Sequence, residues 1–494
     1  MGGLLVFPLG RRCVLPAVAI GGAGLAAILL RLPFLHAGLS PDEGGYAYIA
    51  GQWARGARLY GPAAWVDRPQ GLMLAYRFLL WIGHGPWAIR LGALVCGAAI
   101  TVLLGAIGWM LEGPWTGAAA AAIYAVVGIG PHVQGFTFNG ELAAALPGTA
   151  AVAAALAWRH SKMRVWIVVA GVAGGAAVLM KQSGFDGLLV AGAVVASVSA
   201  GRWRNLGFFS AGALMPLGLS AIHGELVGWS DYWFAVAGYK LSARSGVDSG
   251  LAGRLGPLAG SWLRVRPDLE LLVLAALAGV GFTLLRRART WIPAGWLLAA
   301  FAGFNAASLY WPHYFVQLIG PLALLAAFTI TSLAARSPGA FGVSLATLVV
   351  AMVVWPVLPY LIRVGDMAAG SKRVLVPYYG QFTKDQRVAA AVRQMSSPHA
   401  EIYALDSEAD VYLLADRRAA FPYLWAHPLD EISGAMGRLR ALLDGPSHPR
   451  LVIVYRKPGL VDPSGKLGRI LRDDYTVAEH VPATDVTILR SSSA

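Results

Sequence analysis

Ten residues into the first polar stretch, the run Leu39–Tyr48 (LSPDEGGYAY) sets two carboxylates, Asp42 and Glu43, directly after a proline. A carboxylate beside a membrane surface can take the proton from an acceptor hydroxyl as that oxygen attacks a sugar carbon. The same pattern suits a helix start, with Ser40 or Asp42 capping and Glu43 in the first turn. Asp42 and Glu43 leave a helix start in different directions, so they are expected to differ in role. Downstream, Asp67-Arg68-Pro69-Gln70-Gly71-Leu72 carries a fixed cation at the entrance to an apolar run. A guanidinium matches phosphate oxygens two at a time, and an interfacial arginine paired with Asp67 or with lipid headgroups gives the same spacing.

Further polar groups recur at the ends of apolar runs. His132, Gln134, Asn139 and Glu141 precede one, Lys181 and Gln182 end another, and His313 and Tyr314 begin a third. Singly, each reads as a cap or belt residue. Jointly, they would bring cations, carboxylates and hydrogen-bonding groups to one membrane face. His132, Glu141 and His313 leave a divalent metal open, though no tight ligand spacing marks one.

The elements that must position these residues are membrane helices. The 494 residues are 57% hydrophobic and 13% charged, about half the charge of a soluble domain. Crossing the hydrocarbon takes about 20 apolar residues. About eleven such segments are expected, near 14–32, 88–111, 115–130, 140–158, 165–180, 185–200, 205–223, 269–286, 291–309, 314–335 and 340–362. The first follows Arg11 and Arg12 and reads as a retained span. The formal net charge of +14 comes from residues that punctuate apolar runs, which argues against a nucleic-acid surface. Cys13 and Cys96 form no metal or disulfide pattern.

With the N-terminus cytoplasmic, the short inner loops hold Arg159, Lys162, Arg164, Arg202, Arg204, Arg286, Arg287, Arg289 and Arg336, and the short outer loops hold only Lys181. That is the positive-inside bias. In this frame Asp42, Glu43, Asp67, Glu141, Asp186, Glu225, Asp231, Asp248, Asp268 and Glu270 fall on the outer side, and Glu112 is the exception. Ionisable groups near the membrane are costly and usually functional, so a working site on the outer face is expected. The long loops 33–87 and 224–268 then lie outside.

Residues 1–362 are thus expected to form the transmembrane unit, and 363–494 an extracytoplasmic soluble α/β domain. The tail has strand-like runs at Glu401–Leu405, Val411–Leu414 and Leu451–Tyr455, with helical stretches at 384–396 and 429–443. It shows no nucleotide fingerprint.

In their order and placement these motifs resemble the GT-C-fold membrane glycosyltransferases of glycosyltransferase family 39 and its relatives, the protein-O-mannosyltransferase and aminoarabinose-transferase type. The Asp42-Glu43 pair with Tyr46 and Tyr48 resembles the start of the family's first outer loop. Asp67–Leu72 resembles its Lys-Pro-Pro stretch, with Arg68 for the lysine and Gln70 for the second proline. Asn139-Gly-Glu141, Leu179–Gln182 and His313–Pro321 resemble further family segments, and Tyr403–Tyr423 the soluble domain of bacterial members.

The resemblance implies a polyprenyl-phosphate-linked sugar as donor and a lipid, glycan or protein hydroxyl as acceptor. It implies Asp42 as general base, Arg68 and Lys181 on the donor phosphate, and Glu43 and Glu141 orienting donor or acceptor. Tyr46, Tyr48, Asp67, Gln70, Asn139, Gln182, His313 and Tyr314 would line the substrate site. It also implies a first loop folded into helices along the membrane surface. The Ala/Gly/Arg-rich composition points to a high-GC bacterium, and a multi-pass chain there is expected in the inner membrane. A lipid-linked sugar transporter or flippase, or a non-catalytic envelope-assembly subunit, would also be polytopic. Against a transporter, the sequence shows no internal repeat and its charges gather at one face rather than at the bilayer midplane.

Overall fold

The computed structural model describes residues 11–244, 251–285, 291–306, 309–336, 339–359, 379–406 and 408–492. Asp248, Arg286, Arg287, Arg289 and the expected boundary near 363 lie outside them.

Among the described residues, fifteen α-helices, numbered in chain order, precede the tail: α1 (Arg11–Arg31), α2 (Pro41–Ala54), α3 (Gln70–Ile82), α4 (Pro86–Glu112), α5 (Pro114–Val127), α6 (Gly140–Ser161), α7 (Val165–Met180), α8 (Asp186–Ala196), α9 (Arg202–Val227), α10 (Trp229–Trp233), α11 (Tyr239–Arg244), α12 (Leu251–Leu285), α13 (Trp291–Ala306), α14 (Val316–Arg336) and α15 (Gly339–Val354). Among the described residues five helices are long and apolar enough to cross a membrane: Cys13–Phe34, Pro86–Glu112, Gly140–Ser161, Arg202–Val227 and Pro312–Arg336. The other expected segments fall on helices outside this set, several of them shorter, so the count of eleven rests on the sequence.

Small residues set the packing. A Cβ at Gly171 or Gly175 of α7 would overlap the backbone of α9, and one at Gly212 of α9 would overlap Val168. Close backbone approach of this kind is how helices gain contact in lipid, where no hydrophobic drive pulls them together.

The first loop folds into α2 and α3. α3 buries Leu72, Met73, Tyr76 and Leu79 and exposes Leu74, Phe78 and Trp81. At 13 residues it spans about 20 Å, too short to cross the hydrocarbon. α2 opens on a capping box: Ser40 accepts from the Glu43 backbone and Glu43 reaches back to the Ser40 N–H. This satisfies two orphan donors reciprocally.

The tail builds a five-stranded sheet in the order β2-β1-β3-β5-β4. Its strands are β1 (Glu401–Leu405), β2 (Arg418–Ala419), β3 (Leu451–Val454), β4 (Tyr475–His480) and β5 (Thr487–Ser491). β1 pairs in parallel with β2 and β3, and β5 runs antiparallel to β3 and β4. Helices α16 (Tyr379–Met395) and α17 (Asp410–Ala415) accompany it. Val411–Leu414, expected as a strand, lies in α17. A four-residue apolar run fits either state, and here it is helical, burying Val411 and Tyr412. The expected helix 429–443 is two, Ala426–Glu431 and Ala435–Leu443, broken at Gly434 with φ +73°.

α17 rests on α2: a Cβ at Gly44 would overlap Asp410, and one at Gly45 would overlap Trp425 and Ala409. The Tyr48 hydroxyl accepts from Ala419 N at 2.8 Å. The sheet and the helix bearing Asp42 are therefore in direct contact.

Candidate functional site

Four chain segments converge at one end of the bundle: the N-termini of α2 and α6, the C-terminus of α7 and the turn Pro312–Phe315 before α14. Asp42 stands in the first turn of α2, 27% exposed, with Oδ2 at 3.6 Å from His313 Nε2. The same nitrogen is 3.9 Å from Glu141 Oε1, and Glu141 pairs with Lys181. Lys181 Nζ lies 3.7 Å above the Tyr314 ring. Gln134 Oε1 faces His313 Nδ1 at 3.3 Å. Asp42, His313, Glu141 and Lys181 thus form a continuous chain in which carboxylates alternate with basic side chains, partly open to solvent at Asp42 and buried at Lys181.

Beside it lies a second ion-pair cluster from the loop before α3 and from α11. Asp67 Oδ2 receives Arg68 Nη1 at 2.6 Å, Lys240 Nζ at 2.9 Å and the Tyr239 hydroxyl at 2.9 Å. Gln182 donates to Asp67 O and to Val236 O, both at 2.8 Å, and ties the α7 end to this loop. Arg68 sits 5.8 Å from the Tyr46 ring centroid and within electrostatic reach of Asp42, Glu141 and Lys181. Burial pushes the Asp67 carboxyl up, but Arg68 and Lys240, with the hydrogen bonds from Lys240 and Tyr239, outweigh it and hold Asp67 well below the usual carboxylate range. Burial, with Arg68 adding to it and Asp67 opposing, pushes Lys240 down to about 8.

Two cations, Arg68 and Lys181, therefore stand within electrostatic reach of the partly open Asp42, and a third, Lys240, stands within reach of both. Such an array, fixed before any substrate arrives, can hold a phosphate and stabilise charge that develops on it. Next to the His313 turn, an apolar groove between α12, α13 and α14 is lined by Trp262, Phe304, Phe315 and Leu322. Phe315 faces the groove while its neighbours His313 and Tyr314 face the polar cluster.

Not every expected residue joins the cluster. Glu43 is fully buried, and the expectation that it orients a substrate gives way to a structural role. Its carboxylate accepts from Ser40 N and Oγ at 3.0 Å and from Phe138 N at 2.8 Å, and pairs with Arg90 at 3.1 Å. Its oxygens are already engaged inside the protein. Gln70 exchanges hydrogen bonds with Ser220 on α9 (3.0 and 2.6 Å) and meets His223 at 3.3 Å, fastening α3 rather than lining the site. Asn139 caps α6 by accepting from Leu142 N at 2.9 Å. Tyr48 is turned toward the tail. His132 pairs with Asp268 of α12 at 2.7 Å, so it does not join Glu141 and His313. Among the described residues no group of three His, Cys, Asp or Glu is arranged to hold a metal ion.

Tyr239, Lys240 and Trp425, which donates to Asp42 Oδ1 at 3.0 Å, escape a sequence reading. They share no motif with the residues they touch.

No family model and no curated protein sequence matches the chain. Solved structures do match in fold. ArnT from Cupriavidus metallidurans bound to undecaprenyl phosphate superposes with a TM-score of 0.60 at 16% identity, covering 96% of this chain and 97% of that one. The archaeal oligosaccharyltransferase AglB from Archaeoglobus fulgidus, in complex with an inhibitory peptide and a dolichol-phosphate, gives 0.55 at 12% identity, over 97% of this chain and 74% of that one. The chain is a helical membrane protein with the GT-C fold that these two structures share.

Proposed function

We propose that the protein is a glycosyltransferase that takes a sugar from a polyprenyl-phosphate donor and passes it to an acceptor hydroxyl at the extracytoplasmic face of a bacterial inner membrane. The observation that carries this reading is the convergence of Asp42, His313, Glu141, Lys181 and Arg68 at one end of the bundle beside an apolar groove. A lipid phosphate needs this combination: cations for its head and an apolar path for its chain. That the similar folds include one bound to undecaprenyl phosphate and one in complex with a dolichol-phosphate supports the same substrate class.

Arg68, Lys181 and Lys240 hold the donor phosphate, with Asp67 and Glu141 keeping the cations in place beforehand. Tyr46 and Tyr314 wall the site. Asp42 is the general base. The acceptor oxygen attacks the anomeric carbon from the face opposite the phosphate. Its proton passes to Asp42, the carbon–oxygen bond to the phosphate breaks, and the lipid phosphate leaves with the electron pair. The configuration inverts. The departing charge meets cations already in place, so no acid is required. The groove at Phe315 takes the first isoprene units.

The same helices support the proposed topology. Glu141 and Arg159 sit near opposite ends of α6, 22 residues long, about 27 Å apart along its axis. With Arg159, Lys162 and Arg164 cytoplasmic by the positive-inside bias, the site and the tail unit face outward.

The test is to incubate the purified full chain with a panel of undecaprenyl-phosphate-linked sugars and follow donor consumption. At least one should be consumed, and Asp42→Asn should lose about 10²–10⁴ of the rate while still binding the donor. Consumption of no donor, or normal turnover by Asp42→Asn, would overturn the reading or its base respectively.

A further inference from the structure

The tail segment Tyr423–His427 meets the site at three points. Tyr423 packs edge-on against Trp65, centroids 4.8 Å apart, Trp425 lies 5.3 Å from Tyr46, and His427 lies 6.5 Å from Tyr239. Each contact falls next to a different part of the cluster. Trp65 leads into Asp67 and Arg68, Tyr46 lies against Arg68, and Tyr239 donates to Asp67. The most specific of the tail's contacts is polar: Trp425 Nε1–H donates to Asp42 Oδ1 at 3.0 Å.

We propose that Trp425 is a positioning residue for Asp42, so that the C-terminal unit completes the reaction centre instead of merely being appended to it. This rests on the reading of Asp42 as the base. The two oxygens of Asp42 have different neighbours. Oδ1 takes the indole N–H, and Oδ2 points toward His313. An indole is a donor only, so it fixes one oxygen without competing for the proton that the other receives. It also restricts the carboxylate's rotation, and reactions of this kind lose rate steeply when a reacting group is misplaced by about 1 Å.

The indole is itself held. Gly45 has no Cβ, and one there would press on the Trp425 ring and on Ala409. The Tyr48–Ala419 hydrogen bond keeps α2 and the tail in register nearby.

Trp425→Phe keeps a ring against Tyr46 and removes the donor. In the purified full chain, assayed with the undecaprenyl-phosphate-linked sugar that wild type consumes, kcat should fall about tenfold or more while the donor KM stays within roughly twofold. The melting temperature should be unchanged. A loss confined to packing would lower stability and leave kcat per folded molecule intact.

Wild-type kcat in Trp425→Phe with an inactive Asp42→Asn would overturn this proposal and leave the base assignment standing. An active Asp42→Asn would overturn the base assignment first. If Trp425→Phe folds poorly, Trp425→Leu, which keeps apolar bulk against Tyr46 and likewise lacks the donor, serves in its place: it should show the same fall in kcat at unchanged donor KM, and wild-type kcat there would overturn the proposal.

Discussion

Asp42 and Glu43 are chain neighbours on one helical turn, yet they belong to different regions. Around Glu43 the protein has built a closed knot: Ser40, Phe138 N and Arg90 engage its carboxylate, and Arg90 in turn donates to Gly38 O at 2.5 Å and Phe136 O at 2.9 Å. Around Asp42 the contacts are fewer and longer, with one indole donor at 3.0 Å and a histidine at 3.6 Å. A buried carboxylate with a full set of donors is fastened to the fold. One with an unfilled side and a wet edge can accept a proton. The difference lies in how completely each charge is paired, and residue type says nothing about it.

The comparison breaks most visibly at the knot. Glu43→Ala strands Arg90 without its anion, and losing one partner of a buried pair typically costs about 3–5 kcal/mol. The purified variant should melt far below wild type or fail to accumulate in the membrane, whereas Asp42→Asn should melt close to wild type. Equal melting of the two would erase the distinction.

On the open side the expected effects concern binding. Arg68→Ala should weaken undecaprenyl phosphate binding by about 10–100-fold, the range for a lost hydrogen bond to a charged group. Lys240 titrates near 8 in the free protein. It is charged below that pH, so affinity for the phosphate should decline as pH rises through 8. In Lys240→Arg the decline should disappear. A pH-independent affinity in wild type would remove Lys240 from the phosphate site.

A separate effect is expected in the tail, where α16 and α17 bring Asp385 and Asp410 together, both buried. Burial and Glu408 push Asp385 up to about 7, while Tyr455 and Lys384 pull it back and Asp485 adds a weak push upward. Burial, Asp385 and Glu408 push Asp410 well above the usual range. For an acid raised on folding, the stabilisation is complete below the unfolded value near 4. It falls by up to roughly 1.4 kcal/mol per pH unit as pH climbs, and is lost by the folded value near 7. Melting temperature should therefore drop between pH 4.5 and 7.5, and Asp385→Asn should flatten that slope. An identical slope in the variant would contradict this.

Much of the architecture was legible because it rests on local pattern. Apolar runs of bilayer length located the helices, and Asp42, Arg68, Glu141, Lys181 and His313 stood out as polar groups at their ends. Pairing was not legible. Nothing near Glu43 in the chain announces Arg90, 47 positions on, and nothing announces Trp425 beside Asp42. Lys240 looks like one more surface lysine until Asp67 is seen beneath it. Val411–Leu414 was misread because four apolar residues carry no decisive period. The amphipathic face of α3 was hidden inside a loop defined only by its polar ends.

The bare face that α2 turns toward α17 has a consequence for anyone dividing this chain. Gly44 and Gly45 form a flat seat, and any side chain there would pry the sheet off the helix that holds Asp42. A chimera that borrows the sheet from a related protein must therefore bring residues 41–54 along with it, and the membrane portion expressed alone would leave a slot of bare helix backbone open to water.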